Sequence, residues 1–275
     1  MPSERSGGRV TPDQITAAAN RLFEAEQTGV QCGLLSLEHQ GMTLDDAYAV
    51  QGALVAMKRA AGRRQIGWKI GLTSRAMQQA LGIETPDSGV LFDDMLFQSG
   101  AAVPKGRFIE PRIEAEIAFI MKTDLSGLEV TRDAVVAATD YVVPCLEILD
   151  TRILRTDPET RQARKITDTI SDNAANAGIV VAPDRHAISA FDLRWVSAIV
   201  SRDGIVEETG LGAGVLNDPV TGVLWLVHRL AAYGDGLSAG DIVLSGSFIR
   251  PIEAPPGSQI DADFGPFGSV MVNFE

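Results

Sequence analysis

Apolar positions recur at two different periods along this chain, and the change between them marks its first division. Thr11 and Pro12 read as an N-cap followed by a first-turn proline; Ile15, Ala18, Ala19, Leu22 and Phe23 follow at helical spacing, and Gly29 can end the segment. Thr43 opens a second helix, with Asp46 three residues on as in a capping box, and Leu44, Ala47, Tyr48, Leu54 and Val55 form a stripe that stops near Gly62. From about residue 65 the period falls to two. Residues 65–72 alternate Ile66, Trp68 and Ile70 with Gly67, Lys69 and Gly71, and residues 113–119 alternate again. Residues 194–200 and 205–209 flank Ser201-Arg-Asp-Gly204, a hairpin signal, and strands are expected around 242–245, 259–264 and 269–274. Two helices interrupt this region, one over about 131–141 and one from Asp218 and Pro219 to Gly234. With no regular βα alternation and no repeat, the pattern predicts an α+β fold: a helical N-terminal part over 1–64 with a frayed tail, then a strand-rich catalytic part over 65–275.

Composition narrows the classes. The 275 residues are 45% hydrophobic and 22% charged, an ordinary globular balance. No apolar run approaches the ~20 residues that span a bilayer. The opening MPSERSGGRV lacks the hydrophobic core of a signal or transit segment. Cys32 and Cys145, far apart, fit a reducing cytoplasm better than a disulfide framework. A net charge of -12 argues against phosphate-backbone binding, and it also repels acidic substrates unless the site is locally positive.

The chemistry concentrates in Pro111-Arg-Ile-Glu-Ala-Glu-Ile-Ala-Phe119. In a strand, Glu114 and Glu116 point to one side and Ile113, Ala115, Ile117 and Phe119 to the other; in a helix the two acids would diverge by about 200°. Val142-Val-Pro-Cys-Leu-Glu-Ile-Leu149 places Glu147 among residues that favour burial. Three carboxylates without histidine or cysteine make an all-oxygen site, suited to Mg²⁺ or Mn²⁺. The alternative is that Glu114 and Glu116 decorate the solvent face of an amphipathic strand. Lys69, flanked by Gly67 and Gly71, is either a proton-transfer or anion contact or a solvated lysine. Asp168-Thr-Ile-Ser-Asp-Asn-Ala-Ala-Asn-Ala-Gly178 reads as a turn or cap. Of the histidines, His39 is kept as a catalytic candidate, while His186 and His228 read as structural.

Taken together, Trp68-Lys-Ile-Gly-Leu-Thr-Ser74, Pro111-Arg-Ile-Glu-Ala-Glu116, Leu146-Glu-Ile-Leu-Asp150, Asp168-Thr-Ile-Ser-Asp-Asn173 and Leu244-Ser-Gly-Ser247 resemble the 2-keto-4-pentenoate hydratase and 4-oxalocrotonate decarboxylase family of the fumarylacetoacetate hydrolase superfamily, from about residue 30 to the end. The stretch from Asp150 to Gly178 is most similar to the branch that hydrates 2-oxo-hept-4-ene-1,7-dioate in aromatic meta-cleavage catabolism. The resemblance implies a mixed β-roll-like core, a homo-oligomer of dimers or larger, and Glu114, Glu116 and Glu147 as ligands of Mg²⁺ or Mn²⁺. It also implies Lys69 and Asp94 as catalytic groups and Ser74 and Ser247 as substrate contacts. The implied chemistry is hydration of a 2-oxo-alkenoate through a metal-chelated enolate. The alternatives are 4-oxalocrotonate decarboxylation, or a non-catalytic subunit associated with a pathway enzyme. Charge accounting adds a cation for the far carboxylate of a dianionic substrate, and Arg164, in the basic cluster with Arg161 and Lys165, is the first candidate, the alternative being an ordinary solvated loop.

Overall fold

The capping signals at the N-terminal helices are realised. In the computed structural model, which describes residues 10–275, Thr11 Oγ1 accepts from the Gln14 N–H and the Gln14 side chain accepts from the Thr11 N–H. Thr43 and Asp46 repeat the arrangement. The tail expected to fray falls on residues 1–9, outside those described, while Val10 is buried.

In chain order the elements are α1 (Pro12–Thr28), α2 (Leu35–Glu38), α3 (Leu44–Ala60), β1 (Gln65–Gly71), α4 (Arg75–Leu81), β2 (Asp87–Phe92), β3 (Leu96–Gln98), β4 (Ala101–Val103) and β5 (Arg112–Met121). They continue as α5 (Arg132–Ala138), β6 (Thr139–Leu149), α6 (Ile166–Ser171), β7 (Asn176–Val181), β8 (Ser197–Arg202), β9 (Ile205–Leu211), α7 (Pro219–Ala231), β10 (Ile242–Leu244), β11 (Ile252–Glu253), β12 (Gln259–Asp263) and β13 (Ser269–Phe274). The helix expected over about 131–141 stops at Ala138. Thr139 starts β6, because the run that follows pairs along its length with β5 and is buried from Val142 onward. None of these helices is long and apolar enough to cross a membrane.

The chain divides into two compact units, the first ending its N-terminal stretch at Arg63 and adding Thr151–Ala175, the second comprising Arg64–Asp150 and Asn176–Glu275. The first unit is helical. Its apolar core gathers Ala18, Ala19 and Leu22 of α1, Leu34 and Leu35, Val50 and Leu54 of α3, and Ile153 from the returning segment, which is why that segment belongs with the N-terminal helices. Asp168, fully buried, accepts from the Ser36 N–H and hydroxyl (2.8 and 2.6 Å) and from the Lys165 N–H (2.8 Å), a capping role. Asp172 takes the Arg152 guanidinium at 2.5 Å.

The second unit carries two mixed sheets. One runs β2-β1-β10-β5-β6-β7-β3, with β11 also on β5; the other runs β4-β13-β12-β8-β9. β1 and β10 are parallel, whereas β10, β5, β6 and β7 are successively antiparallel. On one face of the larger sheet Leu91, Ala118, Val143, Cys145, Ile179 and Leu244 form a buried apolar cluster.

Lys58 is fully buried in the first unit, with its ammonium 2.5 Å from Glu26, which Arg63 also pairs with. Burial opposes ionisation of Glu26, but Lys58 and then Arg152 outweigh it and hold the carboxyl at about 2. Replacing Glu26 by Gln strands the lysine charge, so Glu26→Gln is expected to lower unfolding free energy by about 3–5 kcal/mol. Urea denaturation checks this, and a loss below about 1 kcal/mol, the range of an exposed pair, counts against it.

Candidate active site

The register of the larger sheet assembles the acids. Glu114 of β5 stands opposite Glu147 of β6, and Glu116 opposite Cys145, so the pleat sends all three carboxylates to one face. Through β10, Ala118 pairs with Leu244 and Leu244 with Lys69, which brings Lys69 to the same face. The strand parity expected for Glu114 and Glu116 is present, but that face is buried at Glu116 and Glu147 rather than solvated. Among the described residues, one carboxylate oxygen from each of Glu114, Glu116 and Glu147 lies within 4.8 Å of the others.

Each inner acid is held from one side only. The Gly246 N–H donates to Glu116 Oε2 (2.8 Å), and Asn176 Nδ2 donates to Glu147 Oε1 (2.8 Å), from which Lys69 Nζ stands 3.3 Å away. Glu116 Oε1 and Glu147 Oε2 are buried without a hydrogen-bond partner. Such atoms are costly unless a cation takes them. Asn176 follows three consecutive non-glycine residues in left-handed conformation, Asn173, Ala174 and Ala175, with φ between 51° and 58°. That turn is strained by roughly 1–2 kcal/mol per residue. Gly246 is irreplaceable on steric grounds: at φ 120° an added Cβ would lie 2.3 Å from Thr73 Oγ1.

The electrostatics follow from this packing. Burial, then the charge of Glu147, pushes the Glu114 carboxyl up to about 8, and burial with both neighbours pushes Glu116 well above the carboxylate range. Lys69 goes the other way from an ordinary buried lysine: burial disfavours its charge, yet Glu147, Asp87, Glu114 and Glu116 together hold it above its usual value. Lys69 is therefore a protonated donor. The Cys145 thiol is pushed up by burial and by Glu116, which leaves it an inert wall.

The other expected site residues have these surroundings. Asp94 lies on an exposed turn, 3.5 Å from Arg107. The Ser247 hydroxyl donates to the Ile249 carbonyl (2.8 Å) and accepts from the Ile249 N–H (3.2 Å), which stabilises its own turn. Ser74 is half-buried just before α4, where its carbonyl accepts from the Gln78 N–H. His39 closes α2 beside Glu38, and Arg164 stands near Asp172, both in the first unit. The rings of His186 and His228 bond the carbonyls of Phe267 and Val130, which fits the structural reading. Sequence reasoning missed Asp87, Asn176 and Gly246. Asp87 is buried opposite Gly71, where a side chain in place of the glycine would put Cβ 2.2 Å from Asp87 Oδ1. The glycine at position 71 was the available signal, since a strand glycine marks a close approach.

Without a cation, the folded state keeps a proton on Glu114 up to about pH 8, whereas the unfolded chain loses it near 4.5. The contribution to stability is full below the lower value and is lost as pH rises through the upper one. Chelator-treated protein is expected to show a falling Tm between about pH 5 and 9, and a divalent ion should flatten that slope. A Tm that rises across this range in the chelator would show that the cluster is not proton-compensated.

No family model matches the chain. Over 94% of its length it is 48% identical to the 2-oxo-hept-4-ene-1,7-dioate hydratase of Escherichia coli, spanning 97% of that protein. Over 97% of its length it is 37% identical to the 2-keto-4-pentenoate hydratase of Paraburkholderia xenovorans (strain LB400), again spanning 97%. The solved 4-oxalocrotonate decarboxylase of Pseudomonas putida G7, complexed with magnesium and adipate, matches with a TM-score of 0.90 at 31% identity, over 97% of this chain and 99% of that one. A fumarylacetoacetate hydrolase family protein of Yersinia pestis CO92 shares the fold, with a TM-score of 0.54 at 15% identity over 77% of this chain and 93% of that one. The chain belongs to the family of 2-oxo-hept-4-ene-1,7-dioate hydratases, 2-keto-4-pentenoate hydratases and 4-oxalocrotonate decarboxylases, built on the fumarylacetoacetate hydrolase fold.

Proposed function

We propose that this enzyme adds water to 2-oxo-hept-4-ene-1,7-dioate, or a close 2-oxo-alkenoate, with Mg²⁺ or Mn²⁺ held by Glu114, Glu116 and Glu147. The observation that carries the reading is the meeting of three carboxylates around two buried, unbonded oxygens. That donor set is hard, anionic and short of positive charge, which fits a hard divalent cation. The 48% identity to a hydratase of this substrate supports the reaction, and the magnesium and adipate complex of the related decarboxylase supports a divalent ion beside a dicarboxylate.

When bound, the ion supplies positive charge against the enolate that forms at the 2-oxo group. The chain's own residues do the rest. Gly246 and Asn176 each hold one oxygen of Glu116 and Glu147, which leaves the other oxygen of each without a protein hydrogen bond before anything binds. Lys69 keeps its proton and offers a hydrogen bond or a proton to the substrate anion. Asp87, whose charge acts on Lys69, is the group we assign to accept a proton in the relay. The apolar cluster on the same face limits stray water. Decarboxylation of 4-oxalocrotonate is the weaker reading, resting on a relative of 31% identity. A homo-oligomer in the cytoplasm completes the proposal, in line with two free cysteines.

Purified protein, Mg²⁺ and each 2-oxo-acid or its dienol, followed by mass identification of products, tests the reaction: gain of water supports it, and loss of carbon dioxide alone overturns it. Glu116→Gln is expected to lose turnover and divalent-ion affinity together; full retention of both would refute the ligand assignment. Lys69→Met should lower kcat by about 10²–10⁴-fold with the fold intact. Wild-type kcat in a folded Lys69→Met protein would remove the lysine from the chemistry.

A further inference from the structure

The cation for the far end of a dianionic substrate is better sought on the strand that carries the acids. Arg112 is the first residue of β5, two before Glu114, so its side chain leaves the sheet on the face of Glu114 and Glu116. Its register partners are Leu149 on β6 and Glu253 on β11. Burial relaxes outward along this face: Glu116 is fully buried, whereas Glu114 and Arg112 are half-buried, which puts the arginine toward solvent. The Arg112 charge also reaches Glu114 and favours its ionised form.

The spacing suits a dioate. Successive residues on one strand face are about 6.6 Å apart. Six C–C bonds of about 1.5 Å, in zigzag, separate the carboxylates of a seven-carbon chain by roughly 7 Å. A substrate whose 2-oxo acid lies among the glutamates, and whose chain runs toward the start of β5, has its second carboxylate at the level of Arg112. Arg164, the cation expected from sequence, stands near Asp172 in the first unit.

We propose that Arg112 is the specificity-determining residue that binds the carboxylate at the far end of the substrate, through the paired N–H groups of its guanidinium. This rests on the 2-oxo-dioate reading above.

The test compares wild type, Arg112→Met and Arg112→Lys on two substrates, 2-oxo-hept-4-ene-1,7-dioate and 2-oxopent-4-enoate, which lacks the second carboxylate. Isothermal titration of adipate and of pentanoate in the presence of Mg²⁺ gives a readout independent of turnover. Arg112→Met is expected to lower the ratio of dioate to pentenoate kcat/KM by about 10- to 100-fold, the range of a charged hydrogen bond, and to weaken adipate relative to pentanoate by a similar factor. Arg112→Lys should recover part of both losses. An unchanged ratio in both measurements overturns the assignment while leaving the hydratase reading intact, as does an equal loss on both substrates. If wild type turns over neither substrate, the hydratase reading fails and the assignment falls with it. Should Arg112→Met not fold, Arg112→Lys decides, because loss of the bidentate fork alone should still lower the ratio.

Discussion

Three carboxyl groups share one largely buried sheet face, and the second unit is organised around the cost of ionising them there. At separations within 4.8 Å their repulsion is screened little by solvent, and burial adds to it. The fold answers with donors brought from distant parts of the chain. β10, inserted between β1 and β5, brings Lys69 to the acids' face, and the turn that follows it contributes the Gly246 N–H. β7, entered through a left-handed turn, contributes Asn176. Two oxygens nevertheless stay unbonded, so the compensation is partial by construction. A site that was fully satisfied by protein groups would have little affinity left for an ion.

The first unit shows the contrasting solution. Glu26 meets Lys58 and Arg63, and the buried Asp172 meets Arg152 by side chain and backbone. Cations lie against both of these acids, and Glu26 titrates low in consequence. Charges in that unit are closed on themselves and serve the packing of helices. In the sheet unit, one lysine answers several acids, and the imbalance leaves chemistry to be done.

What could be read from the sequence follows from which contacts are local. Caps at Thr11 and Thr43 and the parity of Glu114 and Glu116 depend on neighbours within a few residues, and they survive into the structure. The end of the helix begun at Thr131 was misjudged because the apolar residues after Ala138 suit either period, and only pairing with β5 decides between them. Asp87, Asn176 and Gly246 were out of reach for a related reason: their partners are distant in sequence, and each lies in a stretch whose composition reads as a turn or an ordinary strand. Ser247, read as a ligand contact from its glycine-flanked motif, is bonded through its hydroxyl to its own turn, a local contact that the motif alone does not reveal. The alternation of residues 65–72 leaves Lys69 open between a working group and a solvated lysine, and only the sheet pairing shows that the central residues are buried on both sides.

Hydration and decarboxylation both pass through an enolate stabilised at the 2-oxo group, so a shared carboxylate triad cannot by itself choose between them. The choice rests on what happens at the far carbon atoms. Adding water requires a proton to be delivered to carbon and another to be taken from water, which asks for a donor and an acceptor in one site. Lys69 and Asp87 offer that combination in the proposed reaction, because the surrounding acids keep the lysine charged while the carboxylate lies within its field. Decarboxylation sends the electron pair of the broken C–C bond through the conjugated chain to the 2-oxo oxygen, so it needs a proton for that oxygen but no base to activate water. Lys69 without a working acceptor at Asp87 would therefore still serve decarboxylation, so the proposed hydration requires both groups, while the metal ligands serve either reaction.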